Sequence, residues 1–343
     1  MVALSCQFWL THTHTIKSIE LSKSGILSPA QCSNLPRTIS RKEVVINGVT
    51  KDIGRAAVIA VAKARGMEIA GAVDSHLVGE DIGKVCNMEK PLEVPIINDL
   101  TMVLGSISQD CGHPRATLQC KVHHSQFLKK GDILRLFFFF LPLFFQSKAS
   151  GVVVDFTEPS TVYDNVKEAT AFGLRSVVHV PWIKLDTVTA VSAFCDKASM
   201  GCLVAPTLSI GSVLLQQAAI TASFHYKNVE VVESRASASD LPSADAIQIA
   251  ENLSNLGQIY NREDLSTDVL ARGQVVGEDG VRVHSLVLPG LPSSTSVYFS
   301  GPGEVYSLKH DMTDVQCLMP GLILAIRKVV RLKNQGYGLE KFL

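Results

Sequence analysis

Neither sign of charge is in excess in this 343-residue chain, which has 32 Lys and Arg against 32 Asp and Glu. A net charge of zero, with no basic stripe, argues against nucleic acid as a partner, because phosphate backbones attract clustered cations. No apolar run reaches the roughly 20 residues that a membrane-spanning helix needs, so no transmembrane segment is predicted. The eight cysteines contain no repeated CxxC spacing, which favours free thiols in a reducing compartment over a disulfide framework.

Aromatic residues are also scarce, at 6% of the chain, yet six Phe lie within the thirteen residues 134–146, LRLFFFFLPLFFQ. The run is too short for a bilayer and contains Pro142. Phe, Leu and Pro codons can all be built from T and C, and a CAG codon for Gln146 would match the usual end of an intron. The sequence therefore predicts that a block near 110–146 is translated intron.

Cysteine and histidine residues precede this run, and both are common zinc ligands. They are Cys111, His113, Cys120, His123 and His124. Their spacing matches no zinc finger, so no metal site is predicted.

The first 42 residues are poor in acids. Glu20 is the single acidic residue among them, against five Lys or Arg, and eleven positions are Ser or Thr. This composition is typical of an organelle transit peptide, here of a plastid, and a disordered tail is the alternative. On either interpretation, residues 1–42 are predicted to lie outside the fold.

From Glu43 onward, strand and helix signals alternate. VVING (44–48) and MEIAGAVD (67–74) read as strands around a helix-like RAAVIAVAKARG (55–66). Further strands are predicted at 94–97, 151–156, 176–180 and 201–206, and helices at 160–173 and 185–200. This alternation predicts a Rossmann-type α/β domain, a doubly wound parallel sheet, over residues 43–206.

After residue 206 the pattern changes. A helix at 209–226 precedes strands at 229–234, 281–288 and 295–300, and the later strands are separated by turns rich in Gly and Pro. The pattern predicts a second, α+β domain over 207–318 with a mixed or antiparallel sheet. An amphipathic helix is predicted at 318–332.

One glycine-containing turn lies between the first strand and the first helix. Gly48 and Gly54 match the outer glycines of a G-x-x-G-x-x-G phosphate loop, and Lys51 replaces the middle one. Such glycines let backbone amides approach a pyrophosphate closely, and Lys51 could face phosphate with its charge. Asp74 is placed to accept a hydrogen bond from a ribose hydroxyl, although an Asp at the end of a strand is also a common turn residue. The alternative is that both glycines serve only the turn and the helix–sheet packing.

Several longer stretches resemble the dihydrodipicolinate reductases, also called 4-hydroxy-tetrahydrodipicolinate reductases, of the lysine pathway. They are VVDFTEPSTVYDN (153–165), APTLSIG (205–211), ARGQVVGEDGVRVHSLVLPGL (271–291), HD (310–311) and MPGLILAIRKV (319–329). The resemblance implies NADPH or NADH as a cofactor, a C-terminal helix within 319–343 that returns to the nucleotide domain, and a homotetramer formed through the second sheet. The implied cofactor-binding residues are Gly48, Lys51, Ile53, Gly54, Arg55, Asp74 and Thr157.

The family's catalytic motif is degenerate in this chain. The reductases carry E-x-H-H-x-x-K-x-D-A-P-S-G-T-A, in which a His donates a proton and the Lys and Gly-Thr bind the substrate or product. Residues 233–246 read ESRASASDLPSADA, which lacks both His and the Lys and is one residue shorter. The degenerate motif comprises Glu233, Ser234, Arg235, Asp240, Pro242, Ser243 and Asp245. No catalytic residue is therefore predicted.

Four further observations bear on the substrate. Asp245 replaces the Thr and would repel a dicarboxylate by about 1–4 kcal/mol at ~4 Å. The family's G-T-T-G loop becomes HVPW (179–182), and Val287 replaces an expected Arg. Arg235 could supply a new cation, or it could be a surface or packing residue.

A diverged plant branch of the family, the chlororespiratory-reduction-type reductase-like proteins, is similar in its VES-x(3)-ASDLPS motif and its YGLEKFL end (337–343). These proteins of the chloroplast stroma build or maintain the NAD(P)H dehydrogenase-like complex. The resemblance implies a biogenesis factor on a reductase fold, with proteins of that pathway as partners. The competing hypothesis is an NAD(P)H-dependent reductase, of the lysine pathway or of altered substrate.

Overall fold

A computed structural model describes residues 41–110, 151–238, 241–262, 273–277 and 280–343. The predictions for residues 1–40, for the intron-derived block beyond Asp110, for the Cys–His cluster and for Asp240 fall outside these ranges. Every helix within them is too short or too polar to cross a membrane.

Twelve strands lie in the described ranges. In chain order they are β1 (Lys42–Asn47), β2 (Met67–Val73), β3 (Ile96–Ile97), β4 (Val152–Asp155), β5 (Arg175–Val178), β6 (Cys202–Val204), β7 (Asn228–Arg235), β8 (Gln274–Val276), β9 (Val281–Val287), β10 (Ser293–Gly301), β11 (Glu304–Met312) and β12 (Gln335–Tyr337).

Eight α-helices connect them in the same part of the chain. They are α1 (Asp52–Lys63), α2 (Ile82–Val85), α3 (Leu100–Asp110), α4 (Val162–Ala171), α5 (Leu185–Ala198), α6 (Ile210–Ser223), α7 (Ala244–Ser254) and α8 (Met319–Val329). Short 3₁₀ helices lie at Val315–Leu318 and Glu340–Phe342.

The larger sheet has seven parallel strands in the order β12-β6-β5-β4-β1-β2-β3. Its central strands are buried, as in Val152–Asp155, which is buried along its whole length, because helices cover both faces. The order runs outward from β1 in both directions, which confirms the predicted doubly wound α/β sheet. On one face, Leu322 and Ile326 of α8 share a buried cluster with Val44 of β1.

The second sheet is mixed, in the order β11-β10-β7-β9-β8, with β7 and β9 parallel and the other pairs antiparallel. This confirms the predicted α+β domain. Helices α6 and α7 cover one face, where Val231, Phe299 and Ile249 are buried together. The opposite face leaves Tyr298 and Leu286 exposed.

Candidate functional site

The turn between β1 and α1 is built on its two glycines. Gly48 has φ +87°, which favours glycine. A Cβ on Gly54 would lie 2.8 Å from Val49 Cα and closer still to the Gly48 carbonyl oxygen. Because α1 begins this close to the turn, and no side chain caps its N-terminus, its first amides face the space above β1. That arrangement can hold an anionic group such as a pyrophosphate.

Lys51 links this turn to the one that follows β4. Its Nζ donates to the Phe156 carbonyl at 2.6 Å and to the Thr157 carbonyl at 2.7 Å. The ammonium therefore lies between two loops at the carboxyl edge of the sheet, already partnered by backbone oxygens. This bridge occupies the position at which a phosphate loop has its middle glycine.

Asp74, at the end of β2, is bonded to the same turn. One carboxylate oxygen accepts from the Thr50 amide at 3.0 Å and the Thr50 hydroxyl at 2.7 Å, and the other accepts from the His76 amide at 3.0 Å. Burial raises the pKa of Asp74, but the hydrogen bonds from Thr50 and His76 outweigh burial and leave the pKa below its usual value. Asp74 thus fixes the turn to β2, with 8% of its side chain exposed.

The remaining implied nucleotide residues lie around this edge. Arg55 donates from Nε to the Thr50 carbonyl at 2.9 Å, and Ile53 packs against the main core. Thr157 donates from its amide and hydroxyl to buried Asp155, at 2.9 and 2.6 Å. Burial raises the pKa of Asp155, and hydrogen bonds from Thr157 and Asn165 oppose that effect.

At the end of β7, the degenerate motif forms a closed polar network. Glu233 has a fully buried side chain, accepts from the Ser285 hydroxyl at 2.6 Å and lies 3.1 Å from Arg235 Nη2. Arg235 is 13% exposed and also donates to the Ser234 and Ser294 carbonyls, both at 2.8 Å. Its guanidinium is therefore engaged by the second sheet, so Arg235 is a packing residue and not a free cation.

Ser243 and Asp245 lie where this network meets α7. The Ser243 amide donates to Glu233 at 3.0 Å, and its hydroxyl accepts from Ala246 as the helix cap. Asp245 is in the first turn of α7. Pro242 precedes the cap after a cis peptide bond.

A cavity of about 620 Å³ lies between the two domains, at the carboxyl ends of β5, β6 and β12. Asp245 lines it from α7, and Trp182 lines it from the loop after β5 with half of its surface exposed. His179, at the start of that loop, donates from Nδ1 to the Ala205 carbonyl at 2.8 Å. Burial lowers the pKa of His179, so the ring is neutral at neutral pH and a poor source of protons.

Both halves of the chain match known family models. Residues 42–207 match dihydrodipicolinate reductase, N-terminus, and residues 211–343 match dihydrodipicolinate reductase, C-terminus. The chain belongs to the dihydrodipicolinate reductase family. This is a family of NAD(P)H-dependent reductases, and the match confirms the resemblance carried by the motifs.

Similar proteins include both reductases and a reductase-like protein. The chain is 61% identical to the dihydrodipicolinate reductase-like protein CRR1, chloroplastic, of Arabidopsis thaliana over 100% of both chains. It is 40% identical to the 4-hydroxy-tetrahydrodipicolinate reductase of Trichormus variabilis, covering 88% of this chain and 97% of that one. A dipicolinate-bound dihydrodipicolinate reductase from Paenisporosarcina sp. TG-14 has the same fold, with a TM-score of 0.66 at 23% identity, over 88% of this chain and 100% of that one.

A count along the sequence from Glu233 indicates which residues stand in place of the paired histidines of the family motif. Counting from Glu233, Arg235 and Ala236 stand at the two His positions. Arg235 is held in the Glu233 network, and Ala236 has no titratable group. Val287, in place of the expected Arg, is partly exposed at the end of β9. Within the described residues of the motif, therefore, no side chain is suited to donate a proton at neutral pH.

Sequence reasoning did not single out Thr50, Asp155 or Asn165 as site residues. Asn165 Nδ2 donates to Asp155 at 2.9 Å, which fixes the loop that Lys51 reaches. The sequence pattern that could have indicated Asp155 and Asn165 is an Asp at the end of an apolar strand, followed by Thr two positions later and Asn ten positions later.

Proposed function

We propose that this chain is a dihydrodipicolinate reductase-like protein of the chloroplast stroma that acts in the biogenesis or stability of the NAD(P)H dehydrogenase-like complex. It is not an efficient reductase of the lysine pathway on this proposal. The second statement is supported by the Glu233–Arg235 network, in which a buried carboxylate lies 3.1 Å from the guanidinium, and by the absence of His from the sequence 233–246. The statement on location and role is supported by the 61% identity to a relative that is named reductase-like and chloroplastic.

We also propose that the chain binds NADPH or NADH. The first amides of α1 would face the pyrophosphate, and the bare Gly54 backbone leaves room for the turn that presents them. A bound nicotinamide nucleotide would supply hydride chemistry, while Asp74 and Lys51 keep the turn attached to β2 and to the loop after β4.

The alternative is a reductase, of the lysine pathway or of another substrate, and the 40% identity to the 4-hydroxy-tetrahydrodipicolinate reductase of Trichormus variabilis favours it. We expect the purified protein to bind NADPH yet to reduce freshly made dihydrodipicolinate precursor about 10²–10⁴-fold more slowly than a bacterial reductase, the contribution of a positioned general acid. NADPH oxidation and nucleotide fluorescence measure the two properties. Turnover within tenfold of the bacterial enzyme would contradict the proposal.

Lys51→Glu is expected to weaken NADPH binding by about tenfold, or 1.4 kcal/mol. The substitution places a carboxylate beside two carbonyl oxygens and beside the path of an anionic pyrophosphate. Fluorescence titration of NADPH measures the change. Lys63→Glu, at the other end of the same helix, is the charge-matched control, and equal losses in the two variants would argue against a site at this turn.

A homotetramer is part of the proposal. The outer face of the second sheet leaves Val232, Leu286 and Tyr298 between 36% and 57% exposed, and apolar surface of this kind favours contact with another subunit. The ion pair Lys309–Asp311 and the hydrogen bond between His284 and Glu230 lie on the same sheet.

A further inference from the structure

The cavity between the domains carries a distinctive set of side chains. Its walls come from helices α6 and α7 and from the segments that follow β5, β6 and β12. Ligands of open parallel sheets bind at this edge, beyond the carboxyl ends of the strands. At about 620 Å³, it is within the size range of small-molecule sites.

The charged groups that described residues contribute to the cavity are all of one sign. Asp245 and Glu251 line it from α7, and Glu340 lines it from the segment after β12. Among the described residues that form its wall, none is Lys, Arg or His. Within the same part of the chain, none of the three carboxylates takes part in an ion pair.

Aromatic and amide groups complete the wall. Trp182 and Tyr337 are 51% and 43% exposed, so both present ring surface. Gln216, Gln217 and Gln248 add amide groups that can accept hydrogen bonds. Burial raises the pKa of Tyr337, and the nearby negative charges of Glu340 and Glu251 raise it further, which indicates that the acids act on the cavity's aromatic wall.

We propose that this cavity binds a cationic group, an alkylammonium or a guanidinium, carried by a small molecule or by a side chain of a protein partner. Carboxylates attract the charge, and exposed Trp and Tyr rings add cation–π attraction. A dicarboxylate would meet three like charges and no cation of the described wall, so the cavity selects against the family's kind of substrate. The inference deepens the proposed function, since it assigns a ligand class to the cavity that a reductase would use.

The test uses the full chain with Trp9→Phe, because the sequence has two tryptophans and this change leaves Trp182 as the sole tryptophan, which is excited selectively at about 295 nm. The probes are n-butylguanidinium, a capped Ala-Arg-Ala peptide and pyridine-2,6-dicarboxylate. We expect saturable changes in Trp182 fluorescence with the two cations, and binding of the dicarboxylate at least about tenfold weaker. Binding of the peptide tenfold tighter than n-butylguanidinium would assign the cation to a protein partner, and equal binding would assign it to a small molecule.

Two variants test the carboxylates. Glu251→Gln, at an exposed position of α7, is expected to weaken n-butylguanidinium binding by about fivefold, the effect of one unit charge at ~4 Å in water. Glu340→Gln, on the opposite wall, should act similarly and does not touch α7. Glu89→Gln, an exposed acid of the nucleotide domain, is the control and should leave the affinity unchanged.

Dicarboxylate binding as tight as cation binding, a cation response that does not saturate, or equal affinity in wild type, Glu251→Gln and Glu340→Gln would overturn the inference. These results are distinct from a failure of the proposed function, which is measured by turnover. A protein that turns over precursor and also binds cations would contradict only the proposed function. One that binds the dicarboxylate without turnover would contradict only the inference.

Discussion

Gly54→Ala is expected to lower the free energy of unfolding by about 3 kcal/mol and to weaken NADPH binding by at least about tenfold. The new Cβ would lie 2.8 Å from Val49 Cα and 2.9 Å from the Val49 carbonyl carbon. Both neighbours are backbone atoms, which cannot rotate away as a side chain can. Helix α1 must therefore shift, and its first amides move with it.

Urea denaturation measures the stability of this variant, and fluorescence titration under folded conditions measures its affinity for NADPH. Gly105→Ala is the matched control, since Gly105 is also helical and the nearest atom to its added Cβ is 4.0 Å away. That change should stabilise the protein by about 0.5–1 kcal/mol, the ordinary helix preference for alanine. A Gly54→Ala protein as stable as wild type would show that α1 does not need this close approach.

Arg235→Ala is expected to destabilise the protein by about 3–5 kcal/mol, the cost of leaving a buried charge without its partner. Glu233 is fully buried and lies 3.1 Å from the guanidinium. The Ser234 and Ser294 carbonyls would lose a donor at the same time. The measurement is again denaturation, with exposed Arg65→Ala as the control, for which a change within about 0.5 kcal/mol is expected.

A second substitution separates charge from packing in this network. In Arg235→Ala/Glu233→Gln, the buried carboxylate becomes neutral, so the double variant should be more stable than Arg235→Ala alone. If Arg235→Ala cost no more than Arg65→Ala, Arg235 would be available to a ligand after all, and the interpretation of the site would change.

The sequence predicted the elements that carry their own local signal. Strands β1, β2 and β4 each contain an apolar run rich in Val or Ile, and α1 has helical spacing with a glycine after its end, so all four were predicted within about three residues of their observed bounds. Strand β12, with only Gln335, Gly336 and Tyr337, has no such run. Its existence depends on pairing with β6, more than 130 residues earlier, and no local pattern encodes that.

In the candidate site too, features that are close in sequence could be predicted, and contacts between distant residues could not. The glycine turn could be located because Gly48 and Gly54 are close in sequence. The partners of Lys51 could not, since Phe156 and Thr157 lie 105 and 106 residues away. For Arg235, the residue type left both a new cation and a packing residue open, and the choice was decided by the buried carboxylate two positions before it and by the strand that lies across from it.

Because β12 forms the edge of the larger sheet, the first domain can finish folding only after the end of the chain has been synthesised. Ribosomes release a chain from its N-terminus, so β1 to β6 emerge long before residues 335–337. The nascent first domain must wait with the edge of β6 unpaired and with the core positions of Leu322 and Ile326 unfilled. Unpaired edges invite pairing with other chains. The time between synthesis of β6 and release of the last residues is therefore when this chain is most exposed to pairing with other chains.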